Sequence, residues 1–273
     1  MILFPNAKIN LGLQIVAKRS DGYHNLQTGM YPIGWQDVLE VVEADPKKQR
    51  KGSFVLSGME IPGAEKDNLV LRAYELLRKD YDLPPVAVQL HKLIPTGAGL
   101  GGGSADAAFM LKAVNELFQL FLDESILEDY AGRLGSDCPF FIRNSPAIAL
   151  ERGDVLAPLS LDLSAYHLVV VKPPVHVATA EAYAGVRPKT PDQPLNEILN
   201  LPVDDWKGRL HNDFEDSIFP KYPQIAELKE RLYAAGALYA SMSGSGAAVY
   251  GLFTEAPADL HFPQEYQHWQ GRG

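Results

Sequence analysis

The feature that most constrains this chain is the stretch Pro95-Thr96-Gly97-Ala98-Gly99-Leu100-Gly101-Gly102-Gly103-Ser104-Ala105. Five glycines fall within the seven residues from Gly97 to Gly103. An apolar alternation, Val86, Val88 and Leu90, leads into it, and a helical pattern follows. A strand, a glycine loop and a helix start together make an anion cradle. Glycine lets the backbone come close to a charged group, and the first N–H groups of a helix have no partners within it. The competing reading is an ordinary flexible turn. It is opposed by the number of glycines held between two well-patterned elements.

Several nucleotide-binding patterns can be tested against this loop. Gly97, Gly99 and Gly102 fit G-x-G-x-x-G, and acidic residues lie about 20 positions on, as a dinucleotide fingerprint expects. The context fails, because Asp123 to Tyr130 reads as a second helix where that motif needs a buried strand. No Gly-Lys-Ser/Thr occurs, so the P-loop fails too, and the Asp-Phe-Gly and His-Arg-Asp signatures of protein kinases are absent.

The loop resembles instead the Pro-x3-Gly-Leu-Gly-x-Gly-Ser-type signature of the GHMP small-molecule kinases. Three further segments agree with that family in order. They are Ala7-Lys8-Ile9-Asn10-Leu11-Gly12-Leu13 with Arg19-Ser20-Asp21-Gly22-Tyr23-His24, then Gly135-Ser136-Asp137-Cys138-Pro139-Phe140-Phe141, then Ser241-Met242-Ser243-Gly244-Ser245-Gly246-Ala247. The match spans residues 7 to 246. The glycine loop identifies only the superfamily. Asp-Gly-Tyr-His is what points to the branch with a cytidyl substrate, on the non-mevalonate route to isoprenoids. The resemblance implies a two-lobed α+β fold with the active site in the inter-lobe cleft. It implies transfer of a phosphoryl group from ATP, with Mg²⁺, to a hydroxyl of that small molecule. Two rivals stand beside it. A homoserine or mevalonate type of kinase is opposed by Asp-Gly-Tyr-His, because those substrates have no base to stack. A non-catalytic nucleotide-binding protein of the same fold is opposed by Lys8 and Asp137.

Composition sets the outer limits. With 273 residues, 46% of them apolar, the chain is long enough for one large or two modest cores. No apolar run approaches the roughly 20 residues of a membrane helix, and the N-terminal residues show no targeting pattern. The single cysteine, Cys138, excludes a disulfide framework and a cysteine-based zinc site within one chain. These features fit a cytoplasmic protein with no membrane partner. A net charge of −9 argues against nucleic acid as a partner, though not against a nucleotide held by local amides. Nothing in the sequence reports an oligomeric state.

Periodicity predicts strands over 2–16, 38–43 and 53–57, and a hairpin turn at the basic run Lys47 to Lys51. A helix is predicted from an Asp67 cap through Lys79, another over 105–121 and a third over 124–134. Further on come strands at 147–150, 167–172 and 247–253, and helices at 179–183 and 223–235. A composition break near Pro158 suggests an N-terminal ATP-binding domain over 1–157 and a C-terminal domain over 158–273.

The site residues carry paired readings. On a strand over 6–15, Ala7, Ile9, Leu11 and Leu13 share one face, and Lys8 and Asn10 share the other. By pattern alone Lys8 is a lysine on a half-exposed strand. By resemblance it is catalytic, steadying the substrate hydroxyl by charge, and Asn10 is a substrate contact. Asp137, at a boundary before Pro139, reads by pattern as a turn-satisfying aspartate and by resemblance as the general base. Tyr23, His24 and Tyr183 read as core or turn residues, or by resemblance as the aromatic and hydrogen-bonding surroundings of a cytosine. For ATP, the resemblance implies the loop from Pro95 to Ala105, with Asn68 and Lys92 near the purine; pattern alone makes those two a helix cap and a surface lysine. Asp106 reads as a dipole-stabilising acid in the first helical turn. No carboxylate can be assigned to Mg²⁺.

Overall fold

The computed structural model describes residues 1–45 and 52–273. The predicted hairpin turn at Lys47–Lys51 lies outside them. In chain order the elements begin with strands β1 (Ile2–Leu3), β2 (Asn6–Lys18), β3 (His24–Gln36), β4 (Val38–Glu43) and β5 (Ser53–Gly58). Then come α1 (Leu69–Tyr81), β6 (Val86–Lys92), α2 (Gly102–Leu117), α3 (Glu124–Gly132) and α4 (Phe140–Arg143). Next are β7 (Ala147–Glu151), β8 (Val155–Pro158), β9 (His167–Lys172), α5 (Thr179–Gly185), α6 (Leu195–Leu199) and α7 (Glu215–Ile218). The chain closes with α8 (Pro223–Ala234), β10 (Tyr239–Met242), β11 (Val249–Phe253) and β12 (Gln267–Arg272). The predicted α+β class holds.

The residues form two compact units. Unit 1 comprises residues 1–7, 35–96 and 101–145; unit 2 comprises 8–34, 97–100 and 146–273. The chain therefore leaves unit 1 at Gly97 and returns at Gly101, within the glycine loop itself. The composition break at Pro158 coincides with the end of β8, whereas these units change over at Ser145/Pro146 and at earlier points in the chain.

Unit 1 is built on a four-stranded sheet of order β1-β4-β6-β5. β6 runs antiparallel to β4 and parallel to β5. Leu39, Val41, Val88 and Leu90 are buried in it, as are Val70, Ala73 and Leu77 of α1 and Leu111 and Val114 of α2. α1 and α2 pack against each other, and α2 also packs on β4. Leu117 and Phe118 are only half-buried because the helix, predicted to run to residue 121, ends at Leu117.

Unit 2 holds the antiparallel sheet β10-β11-β9-β12 and most of the sheet β2-β3-β7-β8. α8 packs on β10 and β11. Its core joins Leu13, Ile15, Val169, Val171, Ile225, Leu228 and Val249. The Lys8 and Asn10 face of β2 is as buried as the Ile9 and Leu11 face, so this strand is not half-exposed as its alternation suggests.

Candidate active site

Two glycine loops cover the polar face of β2 within unit 2. Lys8 N–H donates to the Leu100 carbonyl at 2.9 Å. Its ammonium donates to the Gly99 carbonyl at 3.2 Å and to Asn10 Oδ1. With 3% of its surface exposed, Lys8 is no surface lysine. Asn10 N–H donates to Ser243 Oγ at 3.1 Å, and Asn10 Nδ2 donates to Thr28 Oγ1 at 3.1 Å. Ser243 Oγ in turn donates to the Gly99 carbonyl at 2.8 Å, and Ala248 N–H donates to Ala98 at 3.1 Å. Gly99 has φ +78°, and a methyl group there would run into the Ser243 carbonyl oxygen. Glycine at this position is thus required first by the packing of one loop on the other.

Sequence reasoning missed what holds the second loop. Asn212 is buried, and its Nδ2 donates to the carbonyls of Met242 and Gly244, each at 2.8 Å. Glu215 Oε1 accepts from Met242 N–H at 2.8 Å, and its Oε2 pairs with Lys229 at 2.6 Å. Asp213 accepts from Ile15 N–H at 2.8 Å. The available signal was the run Asn212-Asp213-Phe214-Glu215, three polar residues around one aromatic beside a short helix. His176 was missed as well. Its exposed ring packs on Gly97, where an added methyl would stand 3.0 Å from Cε1. Nearby in sequence, Thr179 Oγ1 lies 3.3 Å from Ser245 Oγ.

The unit 1 part of the loop starts at the end of β6. Lys92 is 1% exposed, and its ammonium pairs with Asp37 and, at 2.6 Å, with Asp106 Oδ2. Asp37 Oδ1 also accepts from the N–H groups of Leu93 at 2.6 Å and Ile94 at 2.8 Å. Lys92 is therefore neither a surface lysine nor a side chain directed at solvent. Burial opposes its charge, but Asp106 and Asp37 outweigh that and hold its pKa above the ordinary value. Burial pushes the Asp106 carboxyl up to about 7, with Lys92 opposing and Asp37 adding to the rise. Asp106 Oδ1 is buried with no hydrogen-bond partner among the described residues. Asp106 is thus part of an ion cluster rather than a simple dipole-stabilising acid.

α2 begins at Gly102, three residues before the predicted start, with Gly101 as its N-cap at φ +72°. No side chain caps it, so the first N–H groups are left to whatever occupies the loop. Ser104 sits in the first turn rather than at the cap. It hydrogen-bonds the Cys138 thiol, which burial pushes up to about 11 while Ser104 draws it down. The charges of Asp137 and Arg72 also act on that thiol, and Asp137 itself is half-buried. Asn68, not Asp67, caps α1: its Oδ1 accepts from Val70 N–H at 2.9 Å, and Asp67 closes a preceding 3-10 turn. Pro95 is buried and Thr96 exposed.

The aromatic residues lie in unit 2. Asp21 shapes the turn, accepting from Tyr23 N–H at 3.0 Å. Tyr23 is 57% exposed, with the Arg152 guanidinium 4.7 Å over its ring. His24 stacks on Tyr183 at 5.2 Å with 24° between the planes, and Tyr183 meets the edge of Phe214 at 4.9 Å. Burial, then the Lys18 charge, lowers the His24 pKa from its ordinary value and favours the neutral ring. Among the described residues no group of three His, Cys, Asp or Glu side chains is placed to hold a metal ion. No helix among them is long and apolar enough to cross a membrane.

The GHMP kinases N terminal domain matches residues 68–145, and the GHMP kinases C terminal domain matches residues 199–260. The 4-diphosphocytidyl-2-C-methyl-D-erythritol kinase of Bacteroides fragilis is 54% identical over 256 residues, 93% of this chain and 92% of that protein. The enzyme of the same name from Porphyromonas gingivalis is 51% identical, over 94% and 93% of the two chains. A crystal structure of 4-(cytidine 5'-diphospho)-2C-methyl-D-erythritol kinase superposes with a TM-score of 0.78 at 34% identity, covering 92% of this chain and 90% of that one. The chain belongs to the 4-diphosphocytidyl-2-C-methyl-D-erythritol kinase family of GHMP kinases. Like other GHMP kinases it is a phosphotransferase acting on a hydroxyl group, with ATP as co-substrate.

Proposed function

We propose that this chain transfers the γ-phosphoryl group of ATP to the tertiary 2-hydroxyl of 4-diphosphocytidyl-2-C-methyl-D-erythritol. The observation that carries the substrate is the 54% identity over 93% of the chain to a kinase of that name. Phosphoryl transfer passes through a loose transition state, so the protein's work is positioning and charge stabilisation. The uncapped start of α2 and the glycine loop from Pro95 to Ala105 supply backbone N–H groups for the phosphates. Mg²⁺ would come with the nucleotide and would offset charge on the transferring group. Asn68 heads α1 on the purine side, with its Oδ1 committed to the cap.

Lys8 stabilises the substrate hydroxyl and the charge that builds on it, and Asn10 fixes the direction of the Lys8 ammonium. Asp137 accepts the hydroxyl proton. In a loose transition state the proton leaves late, so an ordinary carboxylate suffices. Tyr23 and Tyr183 offer faces to the cytosine, and neutral His24 offers one donor and one acceptor to its edge. A kinase that consumes ATP works where ATP is made, and we place this one in the cytoplasm with small molecules as its partners.

The test is a coupled assay of ADP release with and without the cytidyl substrate. The reading requires release that depends on that substrate. Equal release with and without it, or with homoserine or mevalonate in its place, would reject the substrate.

A further inference from the structure

The ion cluster under the glycine loop contains two carboxylates against one ammonium, all at most 1% exposed. Burying charge is costly, and an apolar trio would serve packing as well or better. Each member is instead bonded to a different stretch of chain around the loop. Asp37 Oδ1 takes both N–H groups of Leu93 and Ile94, the two residues that precede Pro95. Asp106 stands one turn inside α2, and its Oδ2 takes the Lys92 ammonium. A methyl group at Gly102 would stand 2.8 Å from Ile94 Cγ2 and 3.4 Å from Lys92 Nζ. The first residue of α2 is therefore pressed against Lys92 and Ile94. The start of the loop and the helix that ends it are joined through one lysine.

We propose that Asp37 and Asp106 are positioning residues for the nucleotide. Acting through Lys92, they fix the start of the loop against the first turn of α2, and so set where the phosphate-facing N–H groups point. The Lys92 ammonium then serves ATP through the loop and not by contact with the purine. This rests on the loop being the nucleotide cradle. A displacement of reacting groups by about 1 Å can cost on the order of 10²-fold in rate or affinity, so a small loss of register is measurable.

The experiment compares Asp106→Leu with Asp106→Asn. The leucine variant removes the acceptor but leaves the balanced Lys92–Asp37 pair, so the buried charge stays paired. The asparagine variant keeps an oxygen that can accept from Lys92. ADP and ATP affinities by calorimetry, and both KM values, are the readouts. The proposal requires Asp106→Leu to weaken nucleotide by about tenfold or more, with the KM for the cytidyl substrate within about twofold, and Asp106→Asn to recover most of the affinity. Unchanged nucleotide affinity in Asp106→Leu overturns it, as do equal losses in both variants or losses shared by both substrates. Asp106→Ala is read by the same criteria if the leucine variant does not fold; failure of both to fold makes the cluster purely structural and rejects the proposal. Gly101→Val is run alongside. Unchanged nucleotide affinity there means the cradle lies elsewhere and removes the basis of the proposal, whereas weakening in Gly101→Val without weakening in Asp106→Leu rejects the clamp alone.

Discussion

Gly103→Ala separates the fold from the cradle more cleanly than any other change in the loop. Gly103 is the second residue of α2, is exposed, and does not have positive φ. A methyl there meets only Leu69 Cδ1, at 3.9 Å, which is ordinary contact. Alanine in a helix is favoured over glycine by about 0.5–1 kcal/mol, which for a chain of this length raises Tm by about 1–4 °C. The effect on ATP should have the opposite sign. Every Cα–Cβ bond in a helix leans toward the N-terminus, so the new methyl points toward the end where we propose that the phosphates are held. We expect the KM for ATP to rise by about tenfold or more, equivalent to about 1.4 kcal/mol of binding, with the KM for the cytidyl substrate unchanged. Differential scanning fluorimetry and steady-state kinetics read the two effects on one preparation. A stabilised variant with wild-type ATP affinity would show that the phosphates do not approach this helix start.

Asp137→Asn should fold and bind ATP but lose on the order of 10²–10⁴ in kcat; activity within a few-fold of wild type would remove Asp137 from the reaction. Replacing Tyr23 or Tyr183 with Ala should weaken the cytidyl substrate by about 1–3 kcal/mol with little change for ATP, and equal losses for both substrates would make the tyrosines structural. For Asp106 the folded pKa of about 7 lies above its ordinary 3.8, so the folded protein holds a proton that the unfolded chain has released. Stability from this group is complete below 3.8 and is lost as pH rises through about 7. The urea midpoint of wild type should therefore fall relative to that of Asp106→Asn between about pH 4 and about pH 7. A constant difference over that range would mean that Asp106 is ionised throughout.

Local pattern carried much of the fold. The strand over His167–Lys172 was legible to the residue, and the helix over Pro223–Ala234 to within one. β3 was not legible, because Gly29, Pro32 and Gly34 interrupt its apolar alternation. The α1 cap was displaced by one residue because Asp67 and Asn68 are both good caps and only the backbone decides between them. The motifs were readable, but the surroundings of their residues were not. The burial of Lys8 comes from the loop at Gly99, 91 residues on, and that of Asn10 from Ser243, 233 residues on. The pairing of Lys92 with Asp37 spans 55 residues. Periodicity reports which face a side chain takes, and says nothing of which distant loop will cover it.

The most direct test of the account is to identify the product by ³¹P NMR after incubating the enzyme with Mg²⁺, ATP and 4-diphosphocytidyl-2-C-methyl-D-erythritol. The account predicts ADP and one new phosphate monoester on the 2-carbon, in equal amounts, with the cytidyl diphosphate intact. It also predicts that 2-C-methylerythritol 4-phosphate, which lacks the cytidyl half, reacts at least about 10²-fold less efficiently, because the remote base positions the hydroxyl. A phosphate on another oxygen, a cleaved diphosphate, or equal turnover of the truncated substrate would contradict it.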